Sequence, residues 1–235
     1  MNPFGEALLA YHEGQSNAFF SIVRDDGFTQ TVPVDLFFDT SHFSGLENRA
    51  LGLCFGEVLD VGAAAGRHSL ELTHRGLATY SLDILPETRK ILSERGVAHP
   101  ITGDVLSWTE RSFDTVLMLM NGIGLVGTPR QLDAFLLHAH RLLSPGGQIL
   151  CDSIDVFATE DPVHVLYRDK NRAAGLYPGQ QRFTIQFEGN QGEPFEWLHL
   201  DFASLAEHCA TAEWNCRLID QESDGHYLAR IFKDA

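Results

Sequence analysis

The sequence predicts an α/β fold in which helices cover both faces of a mostly parallel sheet. Short apolar stretches alternate with helical stretches five times between residues 57 and 152, the pattern of a parallel sheet with crossover helices. Thr115 to Met120 is apolar apart from one Thr, as expected of a strand that is buried on both faces. A chain of 235 residues can bury a full core, so we expect one domain over residues 1–235.

Local signals mark the ends of the elements in this alternating region. Gly76 and Gly96 each follow a helical stretch, at the position where a glycine commonly ends a helix. Pro86 suits the first turn of the second helix, and Thr128 with Gln131 is typical of a capping box at the start of the third. The predicted strands are residues 58–61, 78–82, 97–102, 115–120 and 148–151, and the predicted helices are residues 67–75, 86–95 and 129–143.

After Asp152 the alternation stops, and the signals change to those of antiparallel strands. Two strands around a Gly-Asn-Gln-Gly turn predict an inserted β-hairpin, and Asp201 is a suitable N-cap for a helix. We expect residues 156–201 to cap a substrate and residues 1–45 to form an N-terminal helix and lid. The predicted elements here are strands at 182–188 and 195–201, a helix at 202–214 and a closing hairpin of strands at 216–220 and 227–232.

The charge of the chain excludes two classes of partner. Thirty-two acidic residues against seventeen Lys and Arg give a net charge of −15, whereas proteins that bind phosphate chains or anionic membranes use clustered basic residues. We therefore expect no nucleic-acid and no membrane partner. The first basic residue is Arg24, which argues against a signal peptide, and no two of the four cysteines form a Cys-x-x-Cys pair. These features predict a cytoplasmic protein with reduced thiols.

The residues that carry chemistry lie where predicted strands end. A glycine-rich turn, Gly62 to Gly66, follows the first strand and its Asp60, and Asp83 ends the second strand. Gly103-Asp104 ends the third strand, and the fourth leads into Asn121-Gly122. Ligands of open α/β sheets bind at the carboxyl ends of the strands, and glycines let the backbone approach them closely. An acid after the second strand would also suit a nicotinamide cofactor, but the full combination is more specific.

Over residues 45–152 this combination resembles the class I S-adenosylmethionine-dependent methyltransferases. The resemblance implies a Rossmann-like sheet of seven strands with the last strand antiparallel. It also implies S-adenosylmethionine as cofactor, with Asp83 on the ribose hydroxyls, Asp104 beside the adenine and Asn121 near the methyl group. The family's usual Gly-x-Gly-x-Gly loop has Ala64 at its middle position here. The cofactor-binding residues that the resemblance implies are Asp60, Gly62, Ala63, Ala64, Gly66, Asp83, Ile84, Gly103, Asp104, Val105, Met120, Asn121 and Gly122.

The candidate catalytic residues are Asp152, Asp155 and Asn121. The two aspartates follow the fifth strand, on the same rim as Asn121, where a carboxylate can orient a substrate or act as general base. Asn121 is a poor metal ligand and the eleven histidines show no metal-binding spacing, so we expect no metal. His199 is a second candidate base, and a surface position is favoured for His68.

These observations predict methyl transfer from S-adenosylmethionine to a small molecule, with S-adenosylhomocysteine as product. The protein then has to align the nucleophile in line with the methyl group and exclude water. Three alternatives stay open: a protein acceptor, aminopropyl transfer from a decarboxylated cofactor, and a catalytically silent protein that binds the cofactor and regulates a partner. The sequence also leaves a homodimer open.

Overall fold

A seven-stranded sheet and a smaller antiparallel sheet organise the chain in a computed structural model that describes residues 2–233. The strands, in chain order, are β1 (Phe19–Arg24), β2 (Thr29–Pro33), β3 (Glu57–Val61), β4 (Ala78–Asp83), β5 (His99–Thr102), β6 (Phe113–Met118), β7 (Leu143–Ile154), β8 (Gln180–Phe187), β9 (Asn190–Gln191), β10 (Phe195–Leu198), β11 (Asn215–Gln221) and β12 (His226–Phe232). The helices are α1 (Pro3–His12), α2 (Gly45–Leu53), α3 (Arg67–His74), α4 (Pro86–Glu94), α5 (Pro129–Leu142), α6 (Pro162–Ala173) and α7 (Phe202–Thr211). No helix within residues 2–233 is both long and apolar enough to span a membrane.

The larger sheet has the strand order β11-β12-β7-β6-β3-β4-β5. Strands β3, β4, β5, β6 and β7 run parallel to one another, whereas β12 lies antiparallel to both β7 and β11. The predicted α/β fold with an antiparallel last strand is therefore confirmed. Because β3, β4, β6 and β7 point the same way, their carboxyl ends meet along one edge of the sheet.

Strand β6 shows why the centre of this sheet is so apolar. Val116 and Met118 pack into the core on one side of the sheet, and Leu117 packs into the core on the other side. All three are fully buried, and each such side chain contributes about 1.5–3 kcal/mol relative to an exposed one. The predicted caps also form: Thr128 Oγ1 accepts a hydrogen bond from Gln131 N at 3.2 Å, and Asp201 Oδ1 accepts one from Ser204 N at 2.9 Å.

The smaller sheet corrects the prediction for residues 1–45, which contain two strands besides α1. Strands β1 and β2 join the inserted hairpin in the antiparallel order β10-β8-β1-β2, and β9 extends β8. Strand β1 pairs with residues far along the chain, for example Ser21 with Gln186. Strands β1 and β2 also pair with each other in a local hairpin, whereas the pairing of β1 with β8 joins residues about 160 apart and has no local signal.

Helix α6 lies within the predicted substrate cap, in a stretch for which no helix was among the predicted elements. Asp161 Oδ1 caps this helix by accepting a hydrogen bond from Val163 N at 3.0 Å. Tyr167 and Asn171 bury one side of it, and Asn171 Nδ2 donates to Gln180 O at the start of β8. Tertiary contacts with the smaller sheet therefore stabilise a helix whose own sequence is mostly polar.

Candidate functional site

One cavity of about 1140 Å³ lies between the two sheets. Its floor is the carboxyl edge of the larger sheet, with the loops that follow β3, β4, β5 and β6. Its roof is one face of the smaller sheet, and residues from α1, α2 and the turn between β11 and β12 complete the walls. The strand ends singled out in the sequence therefore share a single cavity with the inserted hairpin.

The glycine-rich loop after β3 bends sharply at the floor of the cavity. Gly62 and Gly66 have φ values of 70° and 79°, which a glycine adopts without steric cost. Gly62, Ala63 and Ala64 line the cavity, but Gly66 does not. A Cβ on Gly66 would lie 2.6 Å from the Leu92 side chain, so this glycine allows α3 to pack against α4 instead of contacting a ligand.

Ala64 has a left-handed backbone with φ of 48°, so the alanine occupies a conformation that glycine adopts more readily. The left-handed region costs a non-glycine residue about 1–2 kcal/mol, whereas glycine costs about 0.4–1 kcal/mol more chain entropy on folding. We expect Ala64→Gly to raise the free energy of unfolding by up to about 1 kcal/mol, since strain relief outweighs entropy. S-adenosylhomocysteine affinity should be equal or higher, as measured by calorimetry.

Ala63→Gly is the matched control, because Ala63 lines the same loop without a positive φ. Ala63→Gly raises the conformational entropy of the unfolded chain without relieving strain in the folded one, so we expect it to lower the free energy of unfolding by about 0.4–1 kcal/mol. Urea denaturation of both variants measures the difference. If both variants were destabilised equally, the left-handed strain at Ala64 would be refuted.

Asp83 ends β4 and fixes the loop. Its Oδ2 accepts a hydrogen bond from Ala64 N at 2.8 Å, and its Oδ1 accepts one from Leu85 N at 2.9 Å. Burial raises the pKa of this carboxyl, and the two backbone donors oppose that shift. A carboxylate has about four acceptor positions, so two backbone bonds leave room for two hydroxyl groups of a ligand. Asp83 lines the cavity.

Asp60 and Asp104 line the cavity on either side of Asp83. Asp60 is buried, and its Oδ2 accepts a hydrogen bond from Ser69 Oγ at 2.6 Å, which ties β3 to α3. Burial raises the pKa of the Asp60 carboxyl. Asp104 is exposed, and its Oδ1 accepts from Leu106 N at 2.9 Å in the turn after β5. The remaining predicted cofactor residues that line the cavity are Ile84, Gly103, Val105, Met120 and Asn121.

A buried ionic cluster beside this loop was missed in the sequence. Glu47 Oε1 accepts hydrogen bonds from Arg67 Nη1 at 2.8 Å and from His68 Nε2 at 2.7 Å. Burial acts to raise the pKa of Glu47, but the bonds from His68 and Ser44 N and the charge of Arg67 outweigh it and lower the pKa. The sequence favoured a surface position for His68, but the side chain is buried in the cavity wall. The cluster holds α2 against α3.

The turn after β6 is strained and is held by Asp152. Met120 and Asn121 have φ values of 66° and 59°, two consecutive left-handed residues without glycine. Asp152 Oδ2 accepts a hydrogen bond from Met120 N at 3.1 Å, and its Oδ1 accepts one from Gly122 N at 2.8 Å. Strain of this kind persists where surrounding contacts impose it and is common at functional sites. The Asn121 Oδ1 atom is buried and has no hydrogen-bond partner in residues 2–233.

The structure separates the two candidate catalytic aspartates. Asp152 lines the cavity beside Asn121, and burial raises the pKa of its carboxyl to about 6. Asp155 lies outside the cavity lining, and its Oδ1 accepts a hydrogen bond from Phe157 N at 2.8 Å. Gly122 also contributes its backbone N–H to Asp152 and does not line the cavity. Asp155 therefore does not belong to the candidate site, because its side chain caps a turn beyond β7.

His199, the alternative base, does line the cavity. It precedes Leu200, whose N–H donates to Ser153 Oγ at 3.0 Å, so His199 and Asp152 lie at the same end of the cavity. Burial lowers the pKa of His199 to about 4, and the nearby charges of His226, His164 and Arg24 act in the same direction. The imidazole is therefore neutral at pH 7 and offers a lone pair.

These residues fit the cofactor that the resemblance implies. The buried Asp83 carboxylate at the end of β4 faces the cavity next to a loop whose backbone is open to a ligand. A Cβ on Gly62 would come within 2.9 Å of the Leu125 side chain, so a larger residue would crowd this part of the floor. The unpartnered Asn121 Oδ1 offers a further hydrogen-bond acceptor at the other end.

Comparison with known proteins supports the same assignment. Residues 58–147 match the family model described as a methyltransferase domain. A SAM-dependent methyltransferase from Bacteroides fragilis, solved with S-adenosyl-L-homocysteine, is 30% identical, with a TM-score of 0.87 over 100% of this chain and 95% of that chain. The CcbJ methyltransferase from Streptomyces caelestis, at 12% identity and a TM-score of 0.59 over 82% of this chain and 97% of that one, shares the fold.

Among curated proteins, a demethylmenaquinone methyltransferase from Tropheryma whipplei (strain Twist) is 28% identical over 145 residues. That match spans 59% of this chain and 59% of the relative, so it leaves two fifths of each outside the comparison. The structural match to the Bacteroides fragilis protein covers the whole chain, and it includes the glycine-rich loop, the strand ends and the smaller sheet. The chain therefore belongs to the class I S-adenosylmethionine-dependent methyltransferases, and its cofactor is S-adenosylmethionine.

Proposed function

We propose that the chain transfers a methyl group from S-adenosylmethionine to a small-molecule acceptor by in-line displacement. The observation that carries the proposal is the continuity of the cavity, which runs from the loops that follow β3 and β4 to the face of the smaller sheet. A volume of about 1140 Å³ exceeds the upper end of ordinary ligand pockets, about 1,000 Å³, and so suits two ligands side by side. The 28% identity with a demethylmenaquinone methyltransferase also favours a small acceptor.

The cofactor, when bound, supplies an electrophilic methyl group on a sulfonium. The chain's own task is to bind, to orient and to exclude water. We infer that Asp83 and the loop from Gly62 to Ala64 hold the cofactor, and that Asn121 lies next to the reacting groups. The smaller sheet covers this end of the cavity and keeps water out. Holding two reactants in line supplies up to about 7–11 kcal/mol toward the barrier.

Asp152 has a different role from the one that its position in the sequence suggested. Both carboxylate oxygens accept backbone N–H groups of the strained turn, so the carboxylate is engaged before any acceptor binds. We propose that Asp152 is a positioning residue that presents Asn121, and that it does not remove the proton of the nucleophile. The neutral imidazole of His199 can accept a hydrogen bond from the N–H or O–H of the substrate at this end, as can Asn121 Oδ1.

A test with radiolabelled cofactor separates this proposal from its alternatives. The full chain is incubated with methyl-tritiated S-adenosylmethionine and a cell extract, which is then separated into small molecules and macromolecules. We expect the label among the small molecules, and none on protein, RNA or DNA. Label on protein would favour a protein acceptor. Tight binding of S-adenosylhomocysteine without any transfer would favour a catalytically silent binding protein.

A further inference from the structure

The roof of the cavity is apolar and aromatic. Alternate residues of neighbouring strands in the smaller sheet point to the same face, and the side chains on that face line the cavity. Trp197 also approaches the turn after β6, because its Nε1 would lie 2.2 Å from a Cβ on Gly124. The roof is therefore adjacent to Asn121. The roof residues are Phe20, Ile22, Phe183, Ile185, Phe195 and Trp197.

The charged groups around this apolar roof are almost all acidic. Nine acidic side chains line the cavity, and Arg67 is the single Lys or Arg in the described lining. The guanidinium of Arg67 is bound to Glu47 and to the carbonyls of Asp39 and His42, so its charge is already compensated. Four of the nine acids belong to the segment around β10 or to the turn between β11 and β12: Glu193, Glu196, Glu222 and Asp224.

The neutral polar groups at this end also accept hydrogen bonds. Asn121 Oδ1 is buried without a partner in residues 2–233, so it can accept a hydrogen bond from a ligand that carries a donor. A buried acceptor without a donor costs about 1–3 kcal/mol, which a donating ligand would recover. His199 is neutral and does not repel a positive charge. Within the described chain, Glu193 and Glu196 take part in no ion pair.

We infer that the methyl acceptor is a primary or secondary amine on an apolar, aromatic-sized body. This inference rests on the proposed function and specifies its substrate class. The aromatic roof binds the apolar body and contacts the ammonium form by cation–π attraction, while the carboxylates neutralise its charge. Anionic acceptors such as carboxylates and phosphates are repelled, because the described lining has no uncompensated positive side chain.

The methyl transfer to an amine balances without a further reactant. The ammonium group gives up one proton to bulk water as the amine enters the cavity and so frees its lone pair. The nitrogen then forms a bond to the methyl carbon while the sulfur–carbon bond breaks, and that electron pair remains on sulfur. The positive charge passes from sulfur to nitrogen, and the products are S-adenosylhomocysteine and the methylated ammonium. No oxidant, reductant or metal takes part.

Matched probes test the substrate class. The full chain with S-adenosylmethionine is given benzylamine, phenethylamine or tryptamine, and each amine is compared with the alcohol and the carboxylate on the same aromatic body. We expect kcat/KM to be at least about tenfold higher for the amine, the factor that corresponds to about 1.4 kcal/mol. An alcohol or carboxylate methylated faster than its amine would overturn the inference, as would no methylation of any amine.

Binding gives a readout that is independent of turnover. Calorimetry measures each amine against the full chain saturated with S-adenosylhomocysteine, and Glu193→Gln, which removes an acidic group of the cavity lining, should weaken amine binding at least about threefold. Glu207→Gln, an exposed acid outside the cavity, is the control and should leave binding unchanged. Equal amine affinity in the wild type, Glu193→Gln and Glu207→Gln would overturn the inference while leaving the proposed function intact. Failure of the wild type to bind S-adenosylhomocysteine would refute the proposed function instead.

Discussion

Replacement of Asp83 by alanine is expected to weaken binding of S-adenosylhomocysteine by about 10²–10⁴-fold. Two hydrogen bonds from ribose hydroxyls to a charged carboxylate are lost, each worth about 1.5–3 kcal/mol. The same carboxylate accepts backbone N–H groups from Ala64 and Leu85, so the glycine-rich loop also loses its anchor. Isothermal titration calorimetry of the wild type and the variant measures the change directly.

Two further variants separate the ligand contact from the effect on the loop. Asp83→Asn keeps one carbonyl acceptor and the side-chain volume, so its affinity should lie between those of the wild type and Asp83→Ala. Asp169→Ala removes an exposed carboxylate that pairs with Arg172 on α6, far from the loop, and should leave affinity unchanged. If Asp83→Ala bound as tightly as the wild type, the ribose assignment would be wrong.

The larger sheet was predictable because its signals are local. The apolar run of β6, the Thr128 N-cap and the Asp201 N-cap are each indicated within a few residues, and each forms in the structure, although only the Thr128 half of the predicted capping box is present. The smaller sheet was not predictable in the same way. Strand β1 lies between β2, its hairpin partner, and β8, about 160 residues later in the chain, and its burial alternates only weakly.

The residues of the candidate site show the same contrast between local signals and contacts that are distant in the sequence. Asp83, Asp104 and the loop from Gly62 were identified because each follows directly from a strand end at the carboxyl edge. Glu47 was missed because it reaches the cavity through Arg67 and His68, about twenty residues away, and no pattern in the sequence signals that pairing. The sequence located Asp152, but its task depends on the left-handed turn at Met120, which only the backbone angles reveal.

Asp152→Asn is expected to lower kcat about 10²-fold while S-adenosylhomocysteine binding stays within a few-fold of the wild type. An aspartate accepts N–H groups with both oxygens, whereas an asparagine presents one oxygen and one NH₂ donor. Either Met120 N or Gly122 N would then face another donor, and the left-handed turn would relax. A shift of about 1 Å in a positioned group costs on the order of 10² in rate. Single-turnover kinetics with phenethylamine or another accepted substrate measures it.

The pH dependence distinguishes this positioning role from a purely structural one. Burial raises the pKa of Asp152 to about 6, so in the folded protein the carboxylate takes up a proton as the pH falls through 6, and one acceptor of the turn is lost. We therefore expect kcat to fall below about pH 6 in the wild type.

The unfolded chain takes up that proton only near pH 3.8, so between about pH 6 and 4 protonation of Asp152 favours the folded state. Activity should decline in this window with no loss of stability attributable to Asp152. The kcat of Asp152→Asn, which is already low, should show no further fall below about pH 6. If Asp152→Asn kept the wild-type kcat and the same fall in kcat below about pH 6, a group other than Asp152 would be responsible for that fall.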